Sequence, residues 1–560
     1  MARGAGWLRL SLGPDRVIRR WPSFGAVAGA VLCCCMSMTP SLLPRPWVLH
    51  AVIGGISAAI GYAIGALVGA ALRRARVRPG PRVMRTAWIA LLVVAGLLFV
   101  SMPMVSADWE RPARRVVGLG TRIDWLTWSL IPVAAIVVCV VIVLAARVVR
   151  LATRIVIRLL DRVVPRPAAY ITGSILAVLL LAAAVQGLLF NVLLGVAERA
   201  ASLANTRTSP GITQPNSPLL SGSSASLTRW QTLGAQGRDF IGKTTTPTRL
   251  TAFSGHPARQ PIRVYVGLDT ARSLTERAKL AVAELERTGA FDRKVLAVMT
   301  STGSGWVDER AAAPLEYMYA GDSALVALQY SYLPSWISLL TENKAAAAGR
   351  ALFDAVHERW AEQPAGHRPK LLVFGESLGS YGTELAFPGG LQDLTAHTDG
   401  ALLAGPPSFN PIWQHLTQAR DPGSPVWRPL YRQGRTVRFA QTAPDLRAVP
   451  SPDGRPHVVY LQNGSDPIVW WHPRLLVQRP QWLRAPRAAD VSPELDWLPL
   501  VTFWQLAGDL AVGNSVPAGH GHQYGSMPAA AWAAIAAPDS WTDADTTRLR
   551  NLLDHTASPP

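Results

Sequence analysis

The pattern of apolar and polar positions divides the chain near residue 200. Before that point apolar residues come in long uninterrupted runs; after it they come in short blocks between amphipathic stretches. Five runs lie at approximately 24–43, 47–72, 86–105, 126–146 and 170–196. Each is close to the roughly 20 residues a helix needs to cross a hydrocarbon core. The first is interrupted at Pro40 and followed by Pro44 and Pro46. Gly54, Gly55, Gly61, Gly65 and Gly69 recur along the second, as expected where helices pack closely in lipid. Few charges interrupt the runs, and Asn191 and Glu198 only end the fifth, so no ion or proton path is indicated. Because runs continue well past the first, a cleaved leader is not expected.

From about 201 to 261 Ser, Thr, Pro and Gly dominate, which reads as a linker or a loop-rich segment packed on the following domain. Trp230 and Phe240 indicate that its second half is docked. From 262 to 560 an α/β rhythm follows. Strands are expected at 262–266, 294–300, 324–332, 371–374, 400–404 and 457–461, and helices at 271–288, 341–363 and from 380. Strands alternating with helices imply a mostly parallel sheet covered on both faces. The expected architecture is therefore an α-helical transmembrane bundle over 1–200, the linker, and an α/β domain.

Charge changes the picture of orientation. The net charge is +19, which alone would suggest a nucleic-acid surface. Three segments hold most of it: the N-terminus with Arg3, Arg9, Arg16, Arg19 and Arg20, the connection from Arg73 to Arg85, and the connection from Arg147 to Arg166. Together they carry 17 arginines against two acids, Asp15 and Asp161. The alternate connection, Ser106 to Trp125, is nearly balanced. Basic segments stay cytoplasmic, so five spans place the C-terminal domain on the other side. Little basic excess remains for a nucleic-acid partner. Arg147, Arg150, Arg154, Arg158 and Arg162 share one helical face; this fits a helix at the inner membrane surface or a basic extension of the fourth span. Cys33, Cys34, Cys35 and Cys139 all lie in apolar runs, so the C-terminal domain has neither disulfides nor a thiolate metal site.

The chemistry-bearing stretch is Gly375-Glu376-Ser377-Leu378-Gly379, directly after the apolar block Leu371–Phe374. A G-x-S-x-G run between strand and helix puts a serine hydroxyl on a tight turn above the sheet edge. The N–H of Leu378 then points to where an oxyanion would form. A second donor is expected in the loop after the 294–300 strand, at Thr302 or Gly303. An acid and a histidine should follow in that order. Asp466, just past the 457–461 strand, is the acid expected. His520 and His522 lie in Gly519-His520-Gly521-His522, and His520, flanked by glycines, is preferred with His522 as its alternative. Two histidines without an HExxH or cysteine set do not make a zinc site, and no cofactor is implied. Aromatic residues cluster in 406–456 and in 466–520, which include Trp413, Trp427, Trp470, Trp471, Trp482, Trp497 and Trp504; they suit a lid, the core of added segments, or a membrane-facing surface.

These features together resemble a group of bacterial, mainly actinobacterial, membrane proteins that join an N-terminal multi-pass region to a C-terminal α/β-hydrolase domain. The carriers are the five runs, Asn205-Thr206-Arg207-Thr208-Ser209-Pro210-Gly211, Ser301-Thr302-Gly303-Ser304-Gly305-Trp306, Gly375–Gly379, Gln462-Asn463-Gly464-Ser465-Asp466-Pro467 and Gly519–His522. The resemblance implies an α/β-hydrolase fold with a serine nucleophile, and no particular substrate. The function expected is a membrane-anchored serine hydrolase acting on a lipid or cell-envelope ester. Acyl transfer through the same acyl-enzyme, and a non-catalytic envelope scaffold or lipid-binding protein, are the alternatives.

Overall fold

The computed structural model describes residues 21–77, 79–160, 191–333, 344–447 and 455–556. They fall into two compact units. One comprises Met1–Ala113, Gly120–Gly195 and Glu494–Gly508; the other comprises Arg114–Leu119, Val196–Pro493 and Asp509–Pro560.

The first unit is helical. Its main elements are α1 (Phe24–Ser37), α2 (Trp47–Arg74), α3 (Pro81–Val116) and α4 (Ile131–Leu160). Three helical stretches, Trp47–Arg74, Pro81–Val116 and Trp125–Thr153, are long and apolar enough to cross a membrane. Leu67, Leu92, Leu97 and Val141 are exposed along them, as suits contact with lipid rather than water. The run expected at 24–43 is a helix of only 14 residues. The Ser37 and Thr39 hydroxyls donate back to the Cys34 and Met36 carbonyls, at 2.6 and 2.8 Å, and Pro40 cannot extend the helix. The run at 170–196 lies outside the described residues except for its end, where α5 (Asn191–Asn205) begins. The stretch from Ser106 was expected as a loop. Instead α3 carries on through it to Val116, across Pro103 and Pro112.

The glycines of α2 do the packing expected of them. A Cβ at Gly61 would stand 2.0 Å from the Gly29 carbonyl oxygen, and one at Gly65 would stand 1.8 Å from that of Gly25. Only glycine lets α1 and α2 approach this closely. The unit also buries polar groups that the composition of the runs did not reveal. His50 Nε2 is 3.7 Å from Glu110 Oε2, and Trp128 Nε1 donates to the Pro103 carbonyl and to Ser106. A helix from much later in the chain, α10 (Val501–Asp509), contributes Gln505, whose amide donates to the Thr39 carbonyl at 3.0 Å.

The second unit is built on a seven-stranded, all-parallel sheet in the order β1-β3-β2-β4-β5-β7-β6. The strands are β1 (Ile262–Val266), β2 (Val295–Thr300), β3 (Ser323–Leu328), β4 (Lys370–Glu376), β5 (Gly400–Ala404), β6 (Val437–Ala440) and β7 (Val458–Leu461). Nearly every strand residue is buried, as parallel sheets with both faces covered require. α6 (Leu274–Thr288), α8 (Lys344–Ala361) and α9 (Leu378–Leu385) pack in succession, while α7 (Glu309–Met318) packs with α11 (Met527–Ala536). Six strands follow the sequence expectation. β6 was missed because its four residues include Arg438 and lie inside a loop-rich stretch. Within 201–261, Leu233, Phe240, Ile241 and Leu250 join the hydrophobic core.

Candidate active site

β4 leads into the candidate serine, Ser377. Its apolar residues are buried between β2 and β5, and the chain reverses into α9 at Ser377. Ser377 has φ 54° and ψ −127°, a left-handed conformation that non-glycine residues adopt only under constraint. The constraint is visible. Ser377 N donates to the Ala404 carbonyl at 2.9 Å, and its own carbonyl accepts from Ser380 Oγ at 2.7 Å. The two glycines of the motif are needed for space. A Cβ at Gly375 would meet the Gly379 carbonyl oxygen at 2.4 Å, and a Cβ at Gly379 would meet that of Thr300 at 2.3 Å. The turn is thus wedged against the end of β2. Leu378 opens α9, and its N–H is among the first-turn amides with no partner inside the helix.

β7 delivers the acid. Asp466 follows Gln462–Ser465 and caps a short helix, Pro467–Trp470, by accepting from Ile468 N at 2.8 Å. It is fully buried. Its Oδ2 accepts from His522 Nδ1 at 2.7 Å and from the Tyr524 hydroxyl at 2.5 Å. Three donors offset the cost of burying a carboxylate. With its Nδ1 proton on Asp466, the His522 imidazole presents Nε2 as a base.

The histidine preferred on sequence grounds is therefore not the one on the acid. His520 makes a β-bridge with Gln523 in the turn that starts at Gly519, and its Nδ1 is buried without a hydrogen-bond partner. The turn sends His522 the other way. Its N–H donates to the Gly513 carbonyl, and Gly521 N donates to Ser465 Oγ at 2.8 Å. Asn463 Nδ2 donates to the Gly521 carbonyl at 2.8 Å. Ser465 is in turn fixed by Asp490, which accepts from both its N–H and its hydroxyl. The acid loop thus holds the histidine loop through two residues besides the acid itself, Asn463 and Ser465.

Two further residues join these loops to the serine turn. Gly405, directly after β5, has φ 53°, and a Cβ there would stand 2.2 Å from His522 Cε1. The imidazole occupies the space that a side chain would fill. Glu376, the residue before Ser377, puts Oε1 3.9 Å from His522 Nε2. Its Oε2 is buried without a hydrogen-bond partner. Burial, then the nearby Asp308 and Asp466, push the Glu376 carboxyl well above its usual value, against the opposing pull of Arg310. Burial likewise raises Asp308, the residue that caps α7. Ser377 and His522 share no hydrogen bond among the described residues.

The expected second oxyanion donor needs correction at one position. Thr302 N–H donates to the Trp306 carbonyl at 2.9 Å, so the turn after β2 already uses it. Gly303 lies in the same turn, whose Gly305 N donates to the Thr302 carbonyl. Glu376, Gly405, Tyr524 and Asp490 were not singled out in the sequence. Glu376 stood inside the motif, and Tyr524 two residues past His522. Among the described residues no cluster of His, Cys, Asp and Glu suited to a metal ion occurs.

A family model described as the alpha/beta-hydrolase family matches residues 262–549, just over half the chain. The chain belongs to the alpha/beta-hydrolase family. A second model, the N-terminus of the same family, matches residues 38–244 and so extends the relationship across most of the helical unit. Comparison with curated proteins and with solved structures gave no match. The parallel sheet is consistent with this fold, and a G-x-S-x-G run on a strand-to-helix turn, as at Ser377, is the turn that serine enzymes of α/β-hydrolase fold use.

Proposed function

We propose that the protein is a membrane-anchored serine hydrolase that cleaves an acyl ester of a lipid or cell-envelope component. The observation that carries this reading is the buried Asp466–His522 pair, 2.7 Å across, on loops that also abut the strained Ser377 turn through Gly405 and Glu376. Ser377 Oγ attacks the acyl carbon while its proton passes to His522 Nε2. The tetrahedral oxyanion is met by the Leu378 N–H. Collapse expels the alcohol, which takes the proton from His522, and leaves an acyl-serine. Water then repeats the sequence and releases the acid. Asp466 and Tyr524 hold the imidazole orientation throughout.

Glu376 fits this chemistry as a neutral acid. A carboxylate 3.9 Å from Nε2 would pair with the imidazolium and compete with the serine. Its burial beside Asp308 and Asp466 favours the protonated form. The three long apolar helices support anchoring in a membrane, and the arginine distribution supports a catalytic unit outside the cytoplasmic membrane. Anchoring favours substrates that reside in or at the bilayer.

The test is to incubate purified full-length protein, and Ser377→Ala, with total envelope lipid extract and to profile the species by mass spectrometry. Wild type should deplete particular acyl esters and release the matching acids, while Ser377→Ala should leave the profile unchanged. Identical profiles from the two proteins would sink the proposal.

A further inference from the structure

The second unit contains a cavity of about 830 Å³, large enough for a ligand of lipid or drug size. Neither Ser377, Asp466 nor His522 lines it. Its wall combines two kinds of surface. Leu203, Leu268, Leu274 and Ala347 supply an apolar part. Arg199, Arg272, Arg277 and Lys344 supply four cationic side chains, against the single lining carboxylate of Glu198.

Two buried polar groups in this wall lack partners. Arg277 is 8% exposed. One guanidinium nitrogen donates to the Leu268 carbonyl at 3.0 Å, but Nε is buried with no hydrogen bond. Tyr330 is 6% exposed, and its hydroxyl is likewise buried and unpartnered. The nearby Asp269 does not serve them, since it already accepts from the Tyr332 hydroxyl.

We propose that this cavity binds an amphiphile with one anionic headgroup, phosphate or carboxylate, and an alkyl chain. The headgroup oxygens accept from the Arg277 guanidinium and are neutralised by Arg272, Arg199 and Lys344. The chain lies against the four apolar residues. A bare anion would leave those unused, and a neutral lipid would leave four cations around an apolar ligand. Part of the wall is α5, the helix that follows the fifth apolar run in the sequence. The site uses none of the residues assigned to ester cleavage, so it stands or falls independently of that assignment.

Isothermal titration of the full-length protein in a non-ionic maltoside, with octyl phosphate and octanoate as probes, tests this. Octyl phosphate should bind at one site per chain. Inorganic phosphate and octanol should each bind at least about tenfold more weakly. Arg272 is exposed and makes no hydrogen bond or ion pair among the described residues, so Arg272→Gln probes the cavity without disturbing the fold. It should weaken octyl phosphate several-fold, Arg277→Gln should weaken it further, and Ser377→Ala should leave it unchanged. Octanoate binding with octyl phosphate excluded would assign a carboxylate headgroup; the reverse would assign phosphate. Octanol binding as tightly as octyl phosphate, or affinity unmoved by Arg272→Gln and Arg277→Gln together, would overturn the proposal.

Discussion

Glu376 occupies the position beside the nucleophile where its charge state matters most. Folding raises its carboxyl pKa above the usual 4.5, chiefly by burial. The folded state therefore favours the neutral form. Its contribution to stability is fully present at low pH and is lost as pH rises from the usual carboxyl range through the raised value. Glu376→Gln cannot ionise and should remove that loss. Urea unfolding of wild type and Glu376→Gln, compared from pH 4 to 9, should give curves that converge at the acid end and diverge in favour of the variant as pH rises. The groups around Glu376 are Asp308, Asp466, Arg310 and His522. In the same pair, reactivity toward an ester should fall at alkaline pH in wild type, where an ionised Glu376 pairs with the imidazolium formed during the reaction, and fall less in Glu376→Gln. A variant with the wild-type pH dependence in both measurements would refute this role.

At the scale of elements, much of the catalytic unit was legible because parallel strands announce themselves. Leu371–Phe374, Val458–Leu461 and their companions are unbroken apolar blocks, and such blocks have few places to go other than a sheet buried on both sides. The placement of Ser377 at the end of one such strand, and of Asp466 in the loop after another, was legible for the same reason. The histidine was not. Choosing between His520 and His522 depends on which way a five-residue turn points its side chains. That is decided by Gly521 N bonding Ser465, by His522 N bonding Gly513, and by the space at Gly405, all contacts between distant parts of the chain. Thr302 was misjudged likewise, because a small residue in the right loop says nothing about whether its N–H is already used. In the helical unit the glycine pattern was readable, and it carries a prediction. Gly61→Ala puts a methyl 2.0 Å from the Gly29 carbonyl, so α1 and α2 must separate. It should destabilise the protein by about 1–3 kcal/mol. Gly96→Ala, on α3 where a Cβ meets nothing within 4 Å, should be tolerated. Thermal unfolding of both in detergent checks this; equal behaviour of the two would contradict the packing account.

For the whole molecule, the proposed orientation rests on the arginines rather than on the fold. The three arginine-rich connections predict that a periplasmic-type reporter fused after Pro560 is active and a cytoplasmic-type reporter is not; the opposite result would reverse the assignment. Removing the six arginines from Arg73 to Arg85 should weaken the preference. Two features could not be read along the chain. One is the return of Glu494–Gly508 to the helical unit, which depends on Gln505 reaching the Thr39 carbonyl. The other is the burial of His50 against Glu110, which needed α3 to continue beyond the expected end of its span.

The central claim is that Ser377 is a nucleophile activated by the His522–Asp466 pair. Labelling of the full-length protein by a serine-directed fluorophosphonate tests it most directly, in wild type, Ser377→Ala, His522→Ala, Asp466→Asn and His520→Ala. Wild type should label; Ser377→Ala should not. His522→Ala and Asp466→Asn should each slow labelling by on the order of 10³-fold or more, and His520→Ala should stay within a few-fold of wild type. Labelling that persists in Ser377→Ala, or that is lost in His520→Ala and kept in His522→Ala, would contradict the account.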